Sequence, residues 1–194
     1  MENLIENHTK HRIVYLDNDE IAEPCKVISL FFDVCSLPEH LDILREWRDD
    51  VAFGTGHTRK RSPDILLYDY ELTVRLIEAA WLLKGQKMRK LNVSKENNKV
   101  AKWYIRAEKK KFGHYPGTLD LRETLKPSLV LKNIFKPYNV TEYRKILNKW
   151  LYDALSMNFL EESHSKYEVI TVYEQLVKLF EAMWLINQRL KNIG

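Results

Sequence analysis

Displaced by 103 residues, this chain aligns with itself without a gap, and that self-match constrains its fold more than any other feature. Residues Glu39 to Trp47 fall on Glu142 to Trp150, Tyr70-Glu71 on Tyr173-Glu174, and Ile77 to Leu83 on Phe180 to Ile186. The lead-in matches too, with Leu16-Asp17, Glu20 and Pro24 over Leu119-Asp120, Glu123 and Pro127. Of the 68 pairs from 16/119 to 83/186, 20 are identical, which points to duplication. The period is too long for tetratricopeptide or HEAT-type solenoid units, so the copies are whole modules.

Within each copy the elements read as helices. The 194 residues include only six Gly and six Pro, which argues against a loop-rich β-sandwich. Pro24 suits a first helical turn, where its missing N–H costs nothing. Val27, Ile28, Phe31, Phe32 and Cys35 follow as an apolar stripe. Ser36 and Pro38 open a second helix carrying Leu41, Leu44, Trp47 and Val51, and Gly54 and Gly56 stop it. Ser62-Pro63 opens a third, striped by Leu66, Tyr70, Val74, Ile77 and Trp81, ending near Gly85. The second copy predicts helices over 128–137, 141–156 and 165–190. A three-helix unit of this size is marginal alone, whereas two can bury their apolar faces on each other, as an isologous dimer does. The expectation is an all-α bundle: two tandem three-helix modules related by a pseudo-twofold and joined by a basic connector helix. Module one is 1–87 (repeat core 16–83), the connector with its turn 88–117, and module two 118–194 (repeat core 119–186).

The connector region is the odd piece. From Lys84 to Lys111 there are eleven Lys or Arg against Glu96 and Glu108 alone, a charge of +9 in a chain whose total is +4. Asn92 or Ser94 caps a helix running to about Lys111, with Val100, Trp103, Tyr104 and Ala107 as its apolar edge. His114-Tyr115-Pro116-Gly117 then breaks it. Two readings follow. One is a solvated connector with Trp103 docked on the core. The other is a phosphate-facing surface, in which Lys99, Lys102, Arg106, Lys109, Lys110 and Lys111 attract nucleic acid and Trp103 stacks on unpaired bases. Lys outnumbers Arg nine to two, which weakens any claim to base reading.

Candidate chemistry is sparse. Glu71 and Glu78, with counterparts Glu174 and Glu181, share one helix face and are the acids to watch, as rim ion pairs or as a carboxylate metal site. Carboxylate di-iron sites also want paired Glu-x-x-His. Glu161-x-x-His164 is the one match, and Thr58 and Arg61 stand at its counterpart. His8-x-x-His11 lies near the chain terminus. Cys25 and Cys35 are too few for a disulfide framework and read as small buried hydrophobes. Phosphate-cradling loops, nucleophile elbows and Cys-x-x-Cys pairs are absent from the sequence. The N-terminus lacks a secretory pattern, and no apolar run reaches the roughly 18 residues of a membrane span. A cytoplasmic protein without membrane attachment is therefore expected, needing no cofactor.

Two resemblances add to this. Asp19-Glu20-Ile21-Ala22-Glu23-Pro24, Val27-Ile28, Phe31-Phe32, Leu37-Pro38 and Glu46-Trp47, with Tyr70 to Ala80, resemble a helical module of uncharacterised proteins from Bacteroidetes-type bacteria. This resemblance covers most of both modules and implies origin and fold, without an activity. Module two departs from it where Thr141 replaces Pro38. A fainter resemblance is to HEPN domains, which implies RNA cutting by an Arg and a His separated by four to six residues on one helix. Here Arg48 and His57 are separated by eight, and Leu151 and Leu160 stand at their counterparts. The function expected from the sequence is a non-enzymatic interaction or regulatory module with a protein partner. It is either a monomer with a pseudo-dimeric core or a homodimer. Nucleic-acid binding through 84–111 is the alternative.

Overall fold

Short polar motifs set the helix starts. A computed structural model describes residues 13–56, 62–86, 98–156 and 166–192. In α1 (Asn18–Ala22) the Asp17 carboxylate accepts from the Glu20 N–H at 2.9 Å, and the Glu20 carboxylate accepts from the Asp17 N–H at 3.1 Å. This reciprocal cap satisfies two orphan donors and explains a helix of only five residues. Pro24 then opens α2 (Pro24–Val34). Ser36 and Glu39 open α3 (Leu37–Phe53), the Glu39 carboxylate accepting from both the Ser36 N–H and O–H at 2.7 Å. Gly54, at φ 63°, ends it in the left-handed conformation that a glycine enters without a Cβ penalty. Ser62 and Pro63 open α4 (Pro63–Leu83). After α5 (Asn98–Lys111) come α6 (Leu121–Leu125), α7 (Ser128–Ile134), α8 (Val140–Leu155) and α9 (Lys166–Lys191).

Apart from the start of the connector, whose expected caps Asn92 and Ser94 lie outside the described residues, the expected helices are present, with two differences. α7 stops at Ile134 rather than 137, because Pro137 has no N–H to give and the chain turns at 135–137. The short helices α1 and α6 lie in what the sequence reading treated as lead-in; Asp17-x-x-Glu20 and Asp120-x-x-Glu123 are the signal.

The apolar faces meet in one core. α4 packs on α2 and α8, α9 packs on α3 and α7, and α3 meets α8. Trp47 of α3 and Trp150 of α8, both fully buried, touch edge to face with centroids 5.7 Å apart. Such a pair adds attraction beyond its buried area. Phe32 of α2 meets Trp184 of α9 at 5.1 Å, and Phe135, after α7, meets Trp81 of α4 at 5.0 Å. Residues from both ends of the chain therefore share one compact helical core. Among the described residues no strand occurs, and no helix is long and apolar enough to cross a membrane.

Candidate functional site

The basic helix α5 carries two apolar strips, and one buried ion pair decides which faces inward. Ala101 and Phe112 are buried, and Tyr104 and Ile105 are half-buried. Glu108 lies on the same side. Its carboxylate accepts from the Arg189 Nε at 2.7 Å and Nη2 at 3.0 Å, and from the Tyr115 hydroxyl at 2.9 Å. Arg189 also donates to the Thr124 carbonyl at 2.8 Å. Burial, then the Glu108 charge, pushes the Tyr115 phenol well above its usual range, so it stays a protonated donor. A bidentate Arg–carboxylate pair this buried is strongly directional. It pins α5 to α9 and α6 by the side that holds Glu108.

The opposite side of α5 consequently faces solvent. Trp103 is 68% exposed, and Val100 and Ala107 are exposed with it. The expected inner edge of Val100, Trp103 and Ala107 is therefore reversed; only Tyr104 of that set packs inward. Trp103 does not dock on the core. Helical spacing instead puts Lys99, Trp103, Arg106 and Lys110 in one outward row, with Lys102, Lys109 and Lys111 at its flanks. All six cations are exposed, and the Lys109 Nζ lies 5.3 Å from the Tyr115 ring. Lys84 sits apart from this row, its Nζ over the Trp81 ring of the body. Lys87, Arg89, Lys90, Lys95 and Glu96 lie outside the described residues.

The four acids singled out from the sequence separate into two kinds. Glu78 is completely buried; it accepts from the Val14 and Tyr15 N–H groups at 3.0 and 2.9 Å and from the Arg144 Nη2 at 2.7 Å. Glu181, also buried, accepts from the Gly117 and Thr118 N–H groups at 2.8 and 2.9 Å and from the Thr118 hydroxyl at 2.6 Å. Both carboxylates clasp the chain segment that leads into the following short helix. Glu71 and Glu174 share the helical face of these acids but stay exposed, because no such segment crosses them. Of the two sequence readings, Glu78 does meet Arg144, yet in the interior rather than at a rim. The rim pairs are Arg75 with Glu20, and Lys178 with Glu123 at 3.0 Å.

The remaining candidates are placed as follows. Among the described residues, no group of three or more His, Cys, Asp or Glu is arranged to hold a metal. His8, His11, His57, Glu161 and His164 lie outside those residues. His114 is exposed, and its carbonyl accepts from the Trp184 Nε1 at 3.1 Å. Arg48 pairs with Asp49 and lies 4.4 Å from the Tyr173 ring centroid. Cys25 and Cys35 form no disulfide and are half-buried rather than core residues; burial raises the Cys25 thiol. The sequence reading passed over His40, which packs on Phe31 with centroids 3.8 Å apart. Its Nε2 donates to the Phe31 carbonyl at 2.8 Å. Burial pulls its pKa below the ordinary imidazole value. No protein-family model, curated protein or solved structure matches this chain.

Proposed function

We propose that this protein is a non-enzymatic interaction module that binds a polyanion through the outward face of α5. The observation that carries this reading is the row of exposed cations that the buried Glu108–Arg189 pair turns outward on α5. The acids that could have served chemistry are occupied differently: Glu78 and Glu181 spend their oxygens on backbone N–H groups. Lysine heads are compact point charges, suited to phosphate or sulfate without geometric selectivity.

The body that presents α5 we read as two copies of one module about a pseudo-twofold. In support, the clasp of Glu78 on 14–15 recurs as that of Glu181 on 117–118, 103 residues on. The Phe32–Trp184 and Trp81–Phe135 contacts exchange under the same spacing, and Trp47 meets its own counterpart, Trp150. The bacterial cytoplasm is the compartment we assign, since two cysteines that are not joined in a disulfide suit a reducing milieu.

The test is a salt titration of binding to labelled heparin. If Lys102, Arg106 and Lys110 replace three counterions at about 0.7 each, a fourfold rise in salt weakens binding roughly 20-fold. The triple variant K102E/R106E/K110E is expected to lose binding with its helical circular dichroism unchanged. Salt-independent binding, or a triple variant that binds normally, refutes the reading.

A further inference from the structure

We infer that the polyanion is an unpaired nucleic-acid strand, one of whose bases stacks on Trp103 while Lys102, Arg106 and Lys110 hold the flanking phosphates; this rests on the α5 reading above. The indole is the discriminating group. A large exposed aromatic gains nothing from a bare array of negative charges, because charge alone offers it no flat apolar partner. An unpaired base offers that partner, and every base has a π-face. A duplex presents its phosphates but keeps its base faces inside the stack, so it would engage the lysines and leave Trp103 in water.

Two other occupants fit less well. An anionic lipid surface would need an apolar face deep enough to enter the headgroup boundary. Beside Trp103 the outward side of α5 offers only Val100 and Ala107, ringed by cations. An acidic peptide would match the charge, but it supplies no planar group for the indole. The composition of the row also bears on selectivity. Five lysines and a single arginine favour backbone contacts over reading of base edges, so binding tolerates sequence.

The inner side of α5 supplies the rigidity that stacking needs. Glu108 is held by Arg189 and Tyr115, so the rotation of the helix is set before a ligand arrives. Trp103 is therefore presented outward in the free protein, and no reorganisation of the helix is needed for a base to reach it.

The experiment compares four probes on the full chain. These are a fluorescein-labelled oligothymidine strand, a blunt duplex of equal length, heparin, and vesicles of phosphatidylcholine with phosphatidylserine. The strand is expected to bind more tightly than the duplex and to quench the solvent-exposed part of the tryptophan emission. W103A should weaken strand binding about tenfold or more. W103F should restore part of it, and neither variant should alter heparin binding. Equal affinity for strand and duplex, with W103A neutral, overturns the stacking inference and leaves the polyanion reading standing. Binding confined to the charged vesicles overturns it in favour of a lipid surface. Failure to bind any of the four probes at low salt refutes the polyanion reading itself.

Discussion

In the stretch 13–86, the imidazole of His40 bonds the carbonyl of Phe31; in the stretch 116–189, the hydroxyl of Tyr143 bonds that of Ile134, at 2.9 Å. Arg75 holds Glu20 in the first, and Lys178 holds Glu123 in the second. Ser36 begins α3, while Asn139 begins α8 and accepts from the Thr141 and Glu142 N–H groups. Buried Glu78 takes Arg144 as its third donor, whereas Glu181 takes the Thr118 hydroxyl. In the first three comparisons the positions are 103 apart, and the polar atom sits where the same task needs it while the group that carries it differs. At these positions the placement of donor and acceptor recurs although the side chain does not. The exception is informative: Arg144 has Leu41 as its counterpart, so the two clasps are electrostatically unequal.

The tryptophans test that comparison most severely. Trp47→Ala and Trp150→Ala should each cost about 4 kcal/mol in denaturant unfolding, since each empties a fully buried site. Because the two rings touch, the double variant should fall short of the sum. Trp103→Ala, a change in the same residue type on an exposed face, should alter stability by less than about 0.5 kcal/mol. A large loss at Trp103 would mean that its outward face is covered.

The clasps come next. Glu78→Ala strands a half-buried guanidinium as well as the two amides bound to its buried carboxylate, and a cost of about 3 kcal/mol follows. Glu181→Ala strands neutral donors only, for which about 2–3 kcal/mol is expected. Equal costs at the two positions would show that Arg144 escapes to water when its partner is removed.

The smallest effect is the pH response of His40. Burial holds its native pKa below the ordinary value of about 6.5, although the Phe31 carbonyl and the Glu39 charge act in the opposite direction. The neighbouring Cys35 thiol lies 3.9 Å from Nδ1. Below pH of about 6.5 the unfolded chain therefore binds this proton first. The stabilisation is present above the unfolded value and is lost as the pH falls, by at most about 1.4 kcal/mol per pH unit. In His40→Tyr the hydroxyl takes over the bond to Phe31, as Tyr143 does for Ile134, and this component should vanish. Chemical denaturation between neutral and acid pH checks it. A wild-type curve parallel to that of the variant would refute the assignment.

Much of the fold was legible because its instructions are local. Pro24, Ser36, Gly54 and Ser62 mark helix ends through φ, capping and missing N–H groups, and these act over one turn. The stripe Leu44, Trp47 and Val51 is buried as its spacing implies, while Leu41 and Trp81, at the edges of their stripes, are half-buried. The clasps were half legible. Glu78 and Glu181 stood out as acids at matching positions, but their partners lie more than 60 residues away in the chain. No spacing rule connects a carboxylate to an amide at that distance.

What the sequence determined by itself is the longer helices, several of their ends, and the concentration of positive charge on one of them. What only the tertiary structure decided is the direction in which that charge faces. α5 has two competing apolar strips, Val100, Trp103 and Ala107 on one side and Ala101, Tyr104, Ile105 and Phe112 on the other. Hydrophobic periodicity alone does not choose between them. Glu108 chooses, because an ionised carboxylate packed against the body needs a buried partner, and Arg189, 81 residues further on, is that partner. One long-range ion pair thus turns Trp103 and its lysines outward.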